Sequence, residues 1–600
     1  MPHPSALPGM GARPAAAGTS FRVWAPFASA VLVVGEFNGW NTSATPLATE
    51  QNGYWSGDAH GAIAGQEYKY FIRNGLWADW KADPYAREMR HSNGNSVIVA
   101  PPSNWTGDAG YRMPSWDELV IYEMHAGTFN DLPGGAPGTF DDIIMKLAYL
   151  RDELCVTAIK LLPAAEFPLG HSLGYNPSHL FAIETAYGGP QGFARFVKAA
   201  HQHGIAIILD VVYNHLGPND LDLKIFDGWS EPSHPDGIYF YDVDRIVTPW
   251  GGPRPDYGRP EVRQFIRDNA LFWLEEFRVD GLRFDATNYI RTINNDWRNV
   301  PDGWNLLRWI NEEVDRRFPW KITIAEDLQN DPALTRDTGG GGAGFDSQWD
   351  AGFVHPIRQV LTAVTDAERD MDAVAAAIYH RYDGNALTRV IYTESHDEVL
   401  LKNGKRRLPE DVWPGNADSW AAKKRSTLGA AVVMTSPGIP MIFQGQEFLE
   451  DGAFDDAVPL DWWRRTLFPG IVTLYRDLIR LRRNWFDTTR GLRGQHVNVF
   501  HKNQSDKVIA FHRWHEGGPR DDVVVALNFA QRSYTSYTIG FPRAGDWKVR
   551  FNSDWNGYDP QFSNHLSYDT VATSGRRDGL NAVGNVGIGP YSSIIASQDG

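Results

Sequence analysis

Cysteine is almost missing from this 600-residue chain: Cys155 stands alone. One thiol allows no internal disulfide, so no oxidising compartment is implied, and its apolar context ELCVTAI marks it as a buried core residue. Long hydrophobic runs are missing too. No stretch of about 18 apolar residues appears, which speaks against a spanning helix. The opening MPHPSALPGMGARPAAAGTS has neither a basic and apolar signal pattern nor an Arg-rich amphipathic one, so residues 1–17 read as a disordered leader and the default location is cytoplasmic. Positive charge is in short supply, with 57 Lys and Arg against 73 Asp and Glu, a net −16. That balance argues against nucleic acid or an anionic membrane as partner and favours a neutral polymer or small molecule. No Gly-rich phosphate loop follows the first strand of the central region. No His/Cys cluster shows ligand spacing, so no metal site and no metal-dependent mechanism are expected.

What the chain does have is aromatic residues: 23 Trp, 23 Tyr and 30 Phe. Many belong in cores, but such richness also suits stacking against sugar faces. Residues 18–105 alternate short β-branched and aromatic runs (SFRVWAP, AVLVVGEF, EYKYFI) with turns, as a small β-sandwich in which Trp24, Trp40 and Trp55 look exposed. From 106 to 486, strand runs alternate with amphipathic helices. The strands are LVIYEM (119–124), VTAIKLL (156–162), IAIILDVV (205–212), FRVDGLRF (277–284), KITIAE (321–326), a weaker FDSQWD (345–350), TRVIYTE (388–394) and PMIFQG (440–445). Such alternation predicts an α/β fold, a parallel sheet that eight strands close into a (β/α)8 barrel with its site at the strands' C-terminal ends. Residues 213–260 interrupt the pattern and read as an inserted subdomain on that rim. Residues 487–600 return to short strands as a C-terminal β domain.

Chemistry concentrates at the ends of those strands. VDGLRFDATN (279–288) delivers Asp285 to a strand end, with Arg283 on the same face two residues earlier. An arginine there keeps the carboxylate ionised and aimed. DVVYNH brings Asp210, Asn214 and His215; KITIAED brings Glu326; IYTESHDE brings His396 and Asp397. One acid after a strand is usually a helix cap, whereas four strand ends occupied together point to a shared cleft. Retaining glycoside hydrolysis needs two carboxyls about 5–5.5 Å apart, and neighbouring strands lie about 4.8 Å apart. Glu326, after the apolar ITIA, suits an acid whose pKa burial has raised.

DVVYNH, GLRFDATN, IAED and ESHDE together resemble the four signature segments of glycoside hydrolase family 13, the α-amylase family. FRVWAP, GEFNGWN and YKYFI are similar to the N-terminal β-sandwich of its branching enzymes and trehalohydrolases. The resemblance implies Asp285 as nucleophile and Glu326 as general acid/base. Asp397 would grip the distorted sugar, and Tyr175 of LGYNP would be the platform beneath it. His215 and His396 would line the same subsite, Arg283 would orient Asp285, and Asp210 would support the network. No cofactor is implied. Thr287 and Asn288 stand where amylases carry Lys-His, which counts against a calcium site shared with Asn214.

Within the family the segments diverge. DVVYNH, inside the ring, looks amylase-like and puts hydrolysis of α-1,4-glucans to maltooligosaccharides first. SHDEV, PLDWW and YTIGFPRAGDWKVRFNSD look like bacterial branching enzyme, the second choice. YNHLGP and IAEDLQND look like maltooligosyltrehalose trehalohydrolase. A non-catalytic glucan-binding protein is the alternative of another class, disfavoured because Asp285, Glu326 and Asp397 are all present. Expected partners are an α-glucan substrate and neither nucleic acid nor membrane.

Overall fold

The computed structural model describes residues 3–102, 104–131, 135–168, 170–294 and 299–600. Eight parallel strands close into a barrel: β1 (Ile121–Met124), β2 (Ala158–Leu161), β3 (Ala206–Val211), β4 (Gly281–Phe284), β5 (Ile322–Ala325), β6 (Ser347–Trp349), β7 (Arg389–Ile391) and β8 (Ile439–Phe443), with β8 returning to pair with β1. The eight expected runs supply these strands, the weak sixth included. Each strand is buried along its whole length, because side chains pack the barrel on one face and the helical ring on the other. Helices Gly189–Gln202 and Pro260–Glu275 begin with proline in the first turn, where the lost N–H would have had no partner. The amphipathic run DDIIMKLAYLRDEL (141–154) forms no single helix: an α-helical turn at Phe140–Ile144 is followed by a wider π-helical one at Tyr149–Leu154, which ends on Cys155 in a left-handed conformation. Cys155 is buried, as its context predicts.

The N-terminal domain is a sandwich of two four-stranded sheets. In Glu67–Asn74 the alternation turns Tyr68, Tyr70 and Ile72 inward, and both tyrosine hydroxyls donate to the buried Asp83, at 2.7 and 3.2 Å. Two expectations are corrected here. The leader is not disordered throughout: Gly11–Ala15 forms an edge strand paired with Gly18–Trp24. Buried Ser5 is tied down as well, its N–H donating to Ser56 Oγ at 2.9 Å and its hydroxyl to Asp58 at 2.6 Å. Residues 1 and 2 lie outside the described residues. Trp24 is not exposed either. Its ring meets Tyr239 edge-on at 5.4 Å, where this domain packs against the barrel insertion, while Trp40 and Trp55 are half-buried.

The insertion contains neither helix nor strand over 213–259, and its last residue, Pro260, opens the helix Pro260–Glu275. Contacts with the N-terminal domain fix its shape. Phe27 N–H donates to Asp227 at 2.9 Å, Ala82 N–H donates to Asp222 at 2.7 Å, and Phe27 stacks on Trp229 with centroids 4.9 Å apart. The C-terminal domain is an eight-stranded antiparallel sheet system, His496–Asn503 to Ser592–Ser597. Among the described residues no helix is long and apolar enough to cross a membrane.

Candidate active site

The C-terminal rim of the barrel gathers the ionisable residues that the sequence singles out. Register explains how. Phe284 pairs with Ala325, so Asp285 and Glu326 leave neighbouring strands on one rung. Asp210 pairs with Arg283 on the strands before them. Arg283, fully buried, is the hub. Nη1 donates to Asp210 at 2.8 Å and to Asp285 at 2.8 Å, while Nη2 stands 3.4 Å from Glu326. Its guanidinium lies 4.3 Å from the centroid of Trp349, a ring that holds the fork flat.

Around this hub each side chain is held by a specific bond. Asn214 gives its amide to both the backbone oxygen of Asp285, at 2.8 Å, and its carboxylate, at 2.7 Å. Ala286 takes a left-handed conformation at φ +39°, a strained choice for alanine, and so aims its N–H at Glu326 Oε2, 2.6 Å away. Tyr175 donates to Asp210 at 2.5 Å and stacks on His396, centroids 5.0 Å apart. His396 Nδ1 lies 2.8 Å from Glu123, and Nε2 3.4 Å from Asp397, whose side chain is 39% exposed on the open side of the ring. His215 bonds Asn214 and stacks on Trp250 of the insertion at 4.9 Å. All eight predicted site residues therefore meet at one rim.

Two members of the network escape sequence reading: Glu123 on β1 and Lys160 on β2. They are register partners, and Lys160 Nζ bridges Glu123 at 3.0 Å and Asp210 at 2.5 Å. The available signal is a charged residue inside an otherwise apolar strand run, in LVIYEM and VTAIKLL.

The same burial acts differently on each acid. It would raise Glu123, but Lys160 and then His396 outweigh it and hold the carboxyl at about 2. Asp210, opposed by burial, is also held low by Arg283 and Lys160. Burial pushes Glu326 up to about 8, with Asp285 and Asp397 adding to the rise and Arg283 resisting it. Asp285 is raised by burial too, against the pull of Arg283 and the Asn214 amide. The stronger anchoring belongs to Asp285, so the one proton this pair retains rests on Glu326. Burial takes His215 down to about 4, leaving a neutral imidazole.

Asn214 does not fit a calcium ligand here: its nitrogen is committed to Asp285 and its oxygen to His215. Glu450, Asp451 and Asp461 bring one oxygen each within 4.8 Å of one another, but Arg464 already pairs with Asp451 at 2.8 Å.

A closed parallel barrel with paired carboxyls and sugar-sized aromatic surfaces at one rim defines an enzyme acting on glycosidic bonds. The alpha amylase catalytic domain matches residues 85–240 and 252–469, carbohydrate-binding module 48 (isoamylase N-terminal domain) matches 9–86, and the alpha amylase C-terminal all-beta domain matches 499–598. The chain belongs to the alpha-amylase family, glycoside hydrolase family 13, and is an α-glucan enzyme. It is 31% identical to the 1,4-alpha-glucan branching enzyme GlgB of Rhodospirillum rubrum over 97% of this chain and 80% of that protein. With the enzyme of the same name from Aquifex aeolicus it shares 31% over 97% of this chain and 94% of the other. A pullulanase from Paenibacillus barengoltzii, solved with maltohexaose and alpha-cyclodextrin, shares the fold, with a TM-score of 0.76 at 20% identity over 99% of this chain and 95% of that one.

Proposed function

We propose that this protein is a 1,4-α-glucan branching transglycosylase, which cuts an α-1,4 bond and rejoins the released chain through an α-1,6 bond. The observation that carries this reading is the match to branching enzymes along nearly the entire chain, all three domains included. It reverses the order that DVVYNH suggests from the sequence, where hydrolysis comes first.

In the proposed reaction Asp285, ionised and aimed by Arg283 and Asn214, attacks C1 of a glucosyl unit resting on Tyr175. The C1–O bond breaks, and the leaving oxygen takes the proton from Glu326. The glucosyl chain is now an ester of Asp285. Glu326, now a carboxylate, accepts a proton from the 6-hydroxyl of an acceptor chain; that oxygen attacks C1 and frees Asp285. Asp397 and His396 hold hydroxyls of the reacting ring while positive charge develops at C1.

Hydrolysis is the second reading, supported by the amylase-like DVVYNH in the ring itself. It differs only in that water resolves the ester. Amylose incubated with the enzyme separates the two by proton NMR. New α-1,6 signal with few new reducing ends is the expected result. Reducing ends that rise without α-1,6 signal would overturn the branching reading in favour of hydrolysis.

A further inference from the structure

The C-terminal domain carries a second aromatic surface, in a groove that shares no lining residue with the carboxyl cluster of the barrel. The segment between strands Gly545–Asn552 and Thr570–Arg577 runs back against the outer helices of the barrel. Its anchor is Asp554, fully buried, which accepts from Lys424 Nζ at 2.8 Å and from the His565 N–H at 2.8 Å. Asp559 pairs with Lys423 at 2.7 Å, and the Tyr558 hydroxyl donates to Asp477 at 2.9 Å. The Asn552 amide closes the base by donating to the His565 carbonyl at 3.2 Å. This is a braced loop with a fixed shape.

Trp555 follows the anchor directly, yet it remains 47% exposed. One face of its indole lies on Gly557, where an added Cβ would come within 2.4–2.6 Å of three ring carbons. Tyr558 meets the ring edge-on, with centroids 5.0 Å apart. The exposure therefore belongs to the opposite face, which borders a groove of about 310 Å³ lined also by Asn552, Asn564, His565 and Leu566. An indole backed on one side and open on the other binds a flat, partly apolar ring. The Asn552 amide is committed to His565 and Asp554, and His565 Nε2 to the Tyr534 carbonyl, so of these marginal residues Asn564 is left to meet hydroxyls. The groove's volume suits one or two rings, at the lower end of the roughly 300–1,000 Å³ of small-molecule sites. The family's substrate class is a polymer of such rings, with many copies on each molecule.

We infer that Trp555 and the groove beside it form a non-catalytic α-glucan site, which holds an outer chain of the polymer while another segment of it occupies the barrel cleft. A second hold of this kind raises the effective concentration of polymer at the cleft and does nothing for a chain too short to span both places.

Steady-state kinetics of the full-length Trp555→Ala variant tests this on two substrates. KM for glycogen rises about three- to tenfold with kcat unchanged, while both parameters for maltoheptaose stay within about twofold of the parent. An unchanged KM for glycogen, or equal losses on both substrates, overturns the inference. Hydrogen exchange on the unmodified protein gives an answer independent of how the variant folds. β-Cyclodextrin slows exchange in residues 552–567 if the site exists; protection confined to other segments overturns it.

Discussion

Asp285 and Glu326 hang from one guanidinium. Arg283 gives Nη1 to the first at 2.8 Å and turns Nη2 toward the second at 3.4 Å, so a single planar group sets both the spacing and the charge of the pair. Lysine carries the same charge without the fork. Arg283→Lys keeps the charge but cannot hold Asp210, Asp285 and Glu326 at once, and kcat/KM on amylose falls about 10- to 100-fold, the equivalent of about 1.5–3 kcal/mol or one charge-assisted bond lost. The acid limb of the pH profile moves upward, because Asp285 is then easier to protonate. A parent-like profile would remove Arg283 from its role.

The two carboxyls are distinguishable by leaving group. Glu326→Gln lowers activity on amylose about 10²- to 10⁴-fold. On a maltosyl fluoride, whose leaving group needs no proton, the same variant still forms the ester, which then builds up on Asp285 and appears as an added mass on the protein. Asp285→Asn loses at least about 10³-fold on both substrates and gains no mass. An adduct on the Asp285→Asn protein would assign the nucleophile elsewhere.

Activity falls as the medium turns alkaline. Glu326 must carry its proton to give it to the leaving oxygen, and burial lifts that proton's pKa to about 8. The working form is the protonated one, present below that pH and lost above it, so kcat/KM on amylose declines through about pH 8. On the fluoride substrate the first step needs no proton from Glu326, and its single-turnover rate keeps no such limb. A limb that persists there belongs to another group.

Lys160 is buried between two acids, and removing it leaves both Glu123 and Asp210 without that cation. Lys160→Met lowers stability by about 3–5 kcal/mol, the cost of uncompensated buried charge. Urea unfolding at neutral pH measures it. A loss under about 1 kcal/mol would mean that the groups left around the two acids compensate them without Lys160.

Much of this architecture is legible in the residues. Strands such as IAIILDVV are buried on both faces and read as apolar runs, broken here by Asp210 alone, and that acid and those that follow the next strands mark the rim. FDSQWD is faint because β6 spans only Ser347–Trp349, too short to build a pattern. Glu123 and Lys160 escape for another reason. A strand run shows that a charge is out of place, but the partner it answers to, His396 for Glu123, lies 273 residues away and is brought near only by barrel closure. Trp24 and the edge strand Gly11–Ala15 mislead in the same way, since local composition does not show what will cover them. The choice between water and a sugar hydroxyl rests on loops whose shape no strand pattern encodes.

The insertion that carries His215 and Trp250 into the cleft has no regular structure of its own, and Asp222, Asp227 and Tyr239 fasten it to the N-terminal domain. That domain is thus a retaining wall for the reaction chamber as well as a module appended to it. Cutting it away would slacken the cleft, and a truncated enzyme that loses turnover on short, soluble substrates would be reporting a deformed chamber and not a lost grip on polymer.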